Sequence, residues 1–128
     1  MSDNPAAIDN GTIIRDFLGL FAHMDATELA PYLDQDIVFE NYGSPVVKGR
    51  DLVVSLWAEV FSTLERVEFT TLHQAVNDDI VIAEQIHGLA LPDRPLALIK
   101  NVAVYRLRDG LIVEWRDYTN PEYARTLL

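Results

Sequence analysis

The 128-residue sequence contains no cysteine, which excludes disulfides, thiolate nucleophiles and cysteine metal sites together. Basic residues are scarce: ten Lys and Arg stand against twenty Asp and Glu, a formal net charge of −10. A surface of that sign argues against phosphate backbones and anionic membranes, so no nucleic acid and no membrane partner is expected. Long apolar runs are missing, and the opening MSDNPAAIDN has neither a basic n-region nor an apolar h-region. The default is then a soluble cytoplasmic protein. Glycine is sparse and forms no phosphate-cradling loop, there is no GxSxG, and His23, His73 and His87 lie too far apart for metal-ligand spacing. No metal and no cofactor is expected.

What is present is an ordinary globular composition, 49% apolar and 23% charged, in a chain long enough for one domain with its own core. The domain is taken as residues 1–128, with 1–9 as a flexible tail. Ile13, Ile14, Phe17, Leu18, Leu20, Phe21 and Met24 recur at helical spacing after Asp9 and Asn10, either of which can serve as N-cap. A shorter second helix is expected over 25–33, with Pro31 near its end. The acidic stretch Asp34 to Asp36 reads as solvated loop. IVFENY then alternates as a strand, with Ile37, Phe39 and Asn41 on one side. A third helix over 51–64 carries the stripe Val54, Trp57, Ala58, Phe61 and Leu64.

From Arg66 the period changes to two. RVEFTTLHQAV, DIVIAEQIHGLAL, LALIKNVAVYRL and LIVEWRDYT read as four strands, separated by turn signals at 77–79, 92–95 and 108–110. Asp109-Gly110 is the strongest of these, because glycine accepts the positive φ of a tight hairpin. Short connections make these neighbours antiparallel. The element order implies an α+β domain with helices packed on one face of an antiparallel sheet.

Strand alternation then sorts the polar residues. Val81, Ala83, Gln85, His87 and Leu89 share a face, as do Ala97, Ile99, Asn101, Ala103 and Tyr105, and as do Val113, Trp115 and Asp117. An acid therefore sits beside a tryptophan on an apolar face. A lone buried carboxylate is costly, so Asp117 is paired, protonated or facing a cavity. If the faces converge, Asn41, Gln85, His87, Asn101 and Asp117 form one polar cluster inside an apolar pocket.

The order of elements, the GRD that opens the third helix and the closing DGLIVEWRDY resemble the nuclear-transport-factor-2-like superfamily, and within it the limonene-1,2-epoxide hydrolases and SnoaL-like polyketide cyclases. The resemblance spans about residues 10 to 125 and specifies fold better than reaction. It implies a cone-shaped α+β fold, three N-terminal helices on a strongly curved sheet around a deep pocket, and a homodimer formed through the sheet. In the epoxide hydrolases an Asp-Arg-Asp arrangement, a Tyr and an Asn activate water. Asp117 matches one acid and Asn41 the amide, but Phe39 stands at the Tyr position, and the Arg and second acid fall on Gln85 and His87.

The cyclase branch needs one acid at the position of Asp117 to take a proton next to a carbonyl. On that resemblance Asp117 is expected to be the general base, with His87 a second acid or base. Asn41, Gln85 and Asn101 would orient substrate and developing charge, with Phe39, Trp115, Leu89 and Ile99 as walls around a small hydrophobic molecule. Ketosteroid isomerase, a well-known case of such chemistry, supplies the physical analogy. The rival readings are epoxide opening by activated water and a non-catalytic binding or dimerisation module. His23 and His73 are expected at the surface, and Val102, Val104 and Ile112 on an exposed sheet face suited to dimerisation.

Overall fold

The computed structural model describes residues 9–128. Of the tail expected over 1–9, residues 1–8 lie outside the described residues, and Asp9 is ordered as a cap: its Oδ1 accepts from the Thr12 amide at 2.8 Å. These bonds satisfy a free donor at the helix start and hold the Asp9 carboxyl below its usual range. The helix, α1 (Asn10–Gly19), buries Ile14, Phe17 and Leu18 and tightens into a 3₁₀ turn at Leu20–His23. Met24, at φ 56°, ends it in the left-handed region.

The second expected helix is instead two 3₁₀ turns, Ala26–Glu28 and Ala30–Tyr32. Pro31 has no amide hydrogen and its ring would strike the carbonyl four residues back, so an α-helix cannot run through it. The chain extends directly into β1 (Leu33–Asn41). Asp34 to Asp36 therefore lie in a strand, not a loop, where the register shifts between Leu33 and Val38. Alternation hides this irregularity, because the extra residues break the period that would reveal the strand.

A two-residue strand β2 (Val47–Lys48) pairs with β1, and Gly49, at φ 99°, turns the chain into α2 (Arg50–Ser62). Its buried stripe is Val53, Trp57 and Phe61 at spacing of four. Val54 and Leu64 pack at the margin of the core, and Ala58 is exposed. Four long strands follow: β3 (Arg66–Asn77), β4 (Ile80–Ala90), β5 (Ala97–Arg108) and β6 (Leu111–Tyr118). Asp109 and Gly110 both have positive φ, as a two-residue hairpin of right-handed twist requires.

The open six-stranded sheet has the order β2-β1-β6-β5-β4-β3. β3 to β6 are antiparallel, while β1 lies parallel to β6, setting Phe39 opposite Trp115 and Asn41 opposite Asp117. One face carries the helices and the core. On the other, Ile82, Leu98, Val102 and Tyr118 are exposed. Ile112 does not join them. A bulge at Val113 shifts the β5–β6 register and turns Ile112 fully inward. A short C-terminal helix, α3 (Pro121–Leu127), capped by Asn120, completes the structure. No helix among the described residues is long and apolar enough to cross a membrane.

Candidate active site

The inner face of β4, β5 and β6 divides along its length. Towards one end it carries Val81, Ala83, Ala103, Tyr105, Ile112 and Trp115, all fully buried or nearly so. Phe17 meets Trp115 edge-on at 5.3 Å between centroids, and Trp57 stacks on Trp115 at 5.5 Å and 4°. Such contacts close that half into a packed aromatic core. Towards the other end the same face carries Gln85, His87, Asn101 and Asp117, the four buried polar residues among the described residues.

There the packing opens. A cavity of 470 Å³ is lined by Phe39, Asn41, His87, Leu89, Ile99 and Asp117 from the sheet. Leu56, Trp57 and Val60 of α2 and Phe69 of β3 face them, and Ser44, Thr119, Ala124 and Leu128 stand around the same space. Most of these walls are apolar, and the polar side chains among them are Asn41 of β1, His87 of β4, Asp117 of β6, Ser44 and Thr119. That volume suits a small organic molecule.

Asp117 is 4% exposed. Its Oδ1 accepts from Trp115 Nε1 at 3.0 Å and, more weakly, from Asn101 Nδ2 at 3.5 Å. The tryptophan beside it thus serves it as a donor. Desolvation dominates nonetheless and pushes its pKa up to about 6, against the lowering effect of those two donors. His87 stacks on Phe69 at 3.8 Å and 6°, and burial pushes its pKa down to about 4, so the ring is neutral at neutral pH. Tyr105, fully enclosed, is held well above its usual value by burial and by Asp117.

His87 and Asp117 do not bond each other; Asn101 stands between them. His87 Nε2 lies 2.6 Å from Gln85 Oε1 and Asn101 Nδ2 lies 3.1 Å from the same oxygen. Gln85 Nε2 donates to Tyr105 Oη at 3.3 Å, and Thr119 Oγ1 donates to Asn101 Oδ1 at 2.5 Å. A continuous ladder therefore runs from Tyr105 through Gln85 and Asn101 to Asp117.

Of the residues expected at the site, Asp117, His87, Asn41, Phe39, Leu89 and Ile99 line the cavity. Three do not. Trp115, expected as pocket wall, is 1% exposed and belongs to the core, because the parallel β1 sets Phe39 against it from the cavity side. Gln85 and Asn101 lie behind the cavity, their amides committed to the ladder, and border a separate depression of 340 Å³ near Leu72, Glu84 and Lys100. His23 and His73 are exposed, each beside a glutamate. Arg116, which shares no face with Asp117, pairs with Glu114 at 2.7 Å.

Sequence reasoning missed Trp57, Phe69 and Thr119 as site residues. Trp57 was legible only as a core residue of a helix stripe, yet it forms a cavity wall and its Nε1 has no acceptor among the described residues. Phe69 is positioned by the β3–β4 register, which sets it opposite His87.

A curved open sheet with helices on one face and a pocket between them defines the nuclear-transport-factor-2-like fold. Within that class, the family model of the SnoaL-like domain matches residues 14–115, and the chain belongs to that family. The match holds Asn41, Gln85, His87 and Asn101, while Asp117 lies two residues beyond its end. Among solved structures, the chain is similar to an LEH-like epoxide hydrolase of M. tuberculosis, with TM-score 0.81 and 20% identity over 91% of this chain and 86% of that one. It is also similar to a hypothetical protein with a ketosteroid isomerase-like fold from Catenulispora acidiphila, in complex with trimethylamine, with TM-score 0.82 and 16% identity, covering 90% of each chain. A candidate isomerase from Bacillus subtilis aligns with TM-score 0.79 and 23% identity over 91% and 90%. At these identities the likeness is one of fold.

Proposed function

We propose that the protein is a cofactor-independent acid-base enzyme that removes a proton next to a carbonyl in a small hydrophobic molecule, with Asp117 as general base. The observation that carries this reading is a buried carboxylate at the polar end of an apolar cavity, with one oxygen held by Trp115 and Asn101 and the other without a partner among the described residues. Its pKa, raised to about 6, leaves it ionised near neutrality while strengthening it as a base. The C–H bond breaks, the proton passes to Asp117 Oδ2 and the electron pair moves to the carbonyl oxygen as an enolate. Return of the proton to another carbon isomerises the substrate; attack of the enolate carbon on a second carbonyl of the same molecule closes a ring, its π pair passing to that oxygen, which takes the proton back from Asp117.

The amide donors free to meet the enolate are fewer than expected. Gln85 and Asn101 are engaged with each other and with Tyr105, so Asn41, beside Asp117 in the parallel register and on the cavity wall, is the amide left for that role. Epoxide opening is the weaker alternative, since Gln85 and Phe39 supply neither the cation nor the phenol that the comparison in sequence called for. The exposed apolar face of Ile82, Leu98, Val102 and Tyr118 supports a homodimer through the sheet. Sedimentation velocity is expected to give a dimer for the wild type and a monomer for Leu98→Asp.

The function is tested by incubating the protein in D₂O with a panel of small cyclic ketones and following loss of the α-proton signal by NMR. Wild type is expected to catalyse exchange of at least one member, and Asp117→Asn to lose that activity. Exchange that persists unchanged in Asp117→Asn contradicts the role of Asp117. Absence of exchange across the panel, with tight binding of its members, favours a non-catalytic binding module.

A further inference from the structure

The hydrogens of the buried ladder can be assigned one donor at a time. Asp117 Oδ1, an acceptor only when ionised, faces Asn101 Nδ2, which identifies that atom as the amide nitrogen and leaves Oδ1 as the oxygen that accepts from Thr119 Oγ1. The two hydrogens of Asn101 Nδ2 then go to Gln85 Oε1 and Asp117 Oδ1. Gln85 Nε2 donates to Tyr105 Oη, leaving Oε1 as an acceptor only. His87 Nε2 lies 2.6 Å from that oxygen. Two lone pairs do not face each other at such a distance, so the hydrogen is on Nε2. Asn101 Nδ2 also lies 3.2 Å from His87 Nε2, but both of its hydrogens already point to oxygens.

A neutral imidazole with hydrogen on Nε2 carries its lone pair on Nδ1. His87 Nδ1 has no hydrogen-bond partner among the described residues and, unlike Trp57 Nε1, is not sealed from contact. Asp117 Oδ2 is open in the same way. The polar end of the cavity thus offers two acceptors, while the amides of Gln85 and Asn101 are committed to the ladder behind it and Asn41 is the amide donor left on the cavity wall.

We propose that Gln85 is a positioning residue that locks His87 in the Nε2–H tautomer, and that the site takes a carbonyl compound also bearing a hydroxyl, which donates to His87 Nδ1 while Asp117 faces the acidic C–H. The proposal rests on the reading of this cavity as the substrate site. A ligand that brings only acceptors leaves two buried lone-pair atoms unsatisfied, and sites of that kind discriminate strongly against it.

Two measurements test it, neither of which reads turnover. Two-bond ¹H–¹⁵N correlation spectra of histidine-labelled protein at pH 8 are expected to show His87 with hydrogen on Nε2 and a lone pair on Nδ1. Gln85→Met is expected to give a tautomer mixture, and Gln85→Glu, which keeps the acceptor, to retain the Nε2–H form. An Nδ1–H tautomer in the wild type, or an unchanged tautomer in Gln85→Met, overturns the positioning role. Binding of 4-tert-butylcyclohexanol and of its methyl ether is compared by calorimetry at the same pH. The alcohol is expected to bind at least about tenfold more tightly, with the preference reduced in Gln85→Met. Equal affinity, or no binding of either up to the solubility limit, overturns the ligand class. Because the tautomer is read in ligand-free protein, its failure leaves the exchange test of Asp117 standing, and failure of that test leaves the tautomer standing.

Discussion

The two halves of the inner sheet face are built on the same three strands yet obey different rules. Where β4, β5 and β6 present Ala83, Tyr105 and Trp115, α1 and the 3₁₀ turn that follows it send Phe17 and Phe21 against them, edge-on. Where they present His87, Asn101 and Asp117, α2 supplies Leu56, Trp57 and Val60 as a facing wall, and 470 Å³ between wall and sheet stays free. The first half contributes stability through burial and packing; the second gives up packing and keeps a carboxylate that burial disfavours. The difference teaches where the proposed function places its chemistry: in the part of the core whose packing is incomplete.

The largest expected effect of breaking this contrast is on chemistry. Asp117→Asn should lower the rate of α-proton exchange by about 10²- to 10⁴-fold, the usual contribution of a positioned general base, as read by the NMR exchange assay. Unfolding measured at pH 8 should at the same time show the variant to be more stable than wild type, because it removes a charge held in an apolar site. Next come truncations in the two halves. Phe17→Ala should cost about 3–5 kcal/mol in urea unfolding, since it empties the centre of the closed half. Leu89→Ala, on the half-buried cavity wall, should cost only about 1 kcal/mol, because part of the space it leaves is already open.

The pH dependence sharpens the same comparison. His87, with its folded pKa pushed down to about 4, leaves the unfolded chain binding the extra proton as pH falls from 6.5 to 4, so its contribution lowers stability on acidification. Asp117, raised to about 6 from 3.8, makes the folded chain bind the extra proton as pH falls from 6 to 4, so its contribution raises stability on acidification. Each amounts to roughly 3 kcal/mol, and across the shared window they oppose each other. The stability advantage of Asp117→Asn over wild type should therefore shrink by on the order of 3 kcal/mol between pH 6.5 and pH 4, measured as paired unfolding curves. A constant difference across that range would mean that Asp117 titrates as an ordinary exposed acid.

A last effect concerns the strand backbone of the cavity half. Gly88 precedes Leu89 on β4, and a Cβ placed there would lie 2.8 Å from the Glu68 carbonyl oxygen of the neighbouring strand. Gly88→Ala should cost about 1–3 kcal/mol by thermal unfolding, since backbone rather than a flexible side chain must move.

Much of this division was legible in the sequence, and the remainder was hidden for identifiable reasons. Alternation grouped Gln85, His87, Asn101 and Asp117 each with apolar neighbours on one face of its strand without saying which face points inward, and in the structure each is buried. Alternation gives the face and not the depth, so it did not distinguish His87 and Asp117, which touch the cavity, from Gln85 and Asn101, which stand behind it. Bulges defeated the rest. Counting back from the β3–β4 turn pairs His87 with Thr70, and only the irregularity between Thr71 and His73 brings Phe69 opposite instead. The bulge at Val113 likewise moved Ile112 from the expected outer face to the core. The parallel pairing of β1 with β6, which places Asn41 beside Asp117, joins segments too distant for any local pattern to report. α3 was hidden by its length: seven residues give too few turns for a helical period to show.

The account depends on Asp117 being a carboxylate held in an apolar cavity with one oxygen free. Titration of its side-chain carboxyl carbon by ¹³C NMR tests this most directly. A midpoint near pH 6 is predicted; a midpoint near pH 4, the ordinary value for a solvated aspartate, would contradict it.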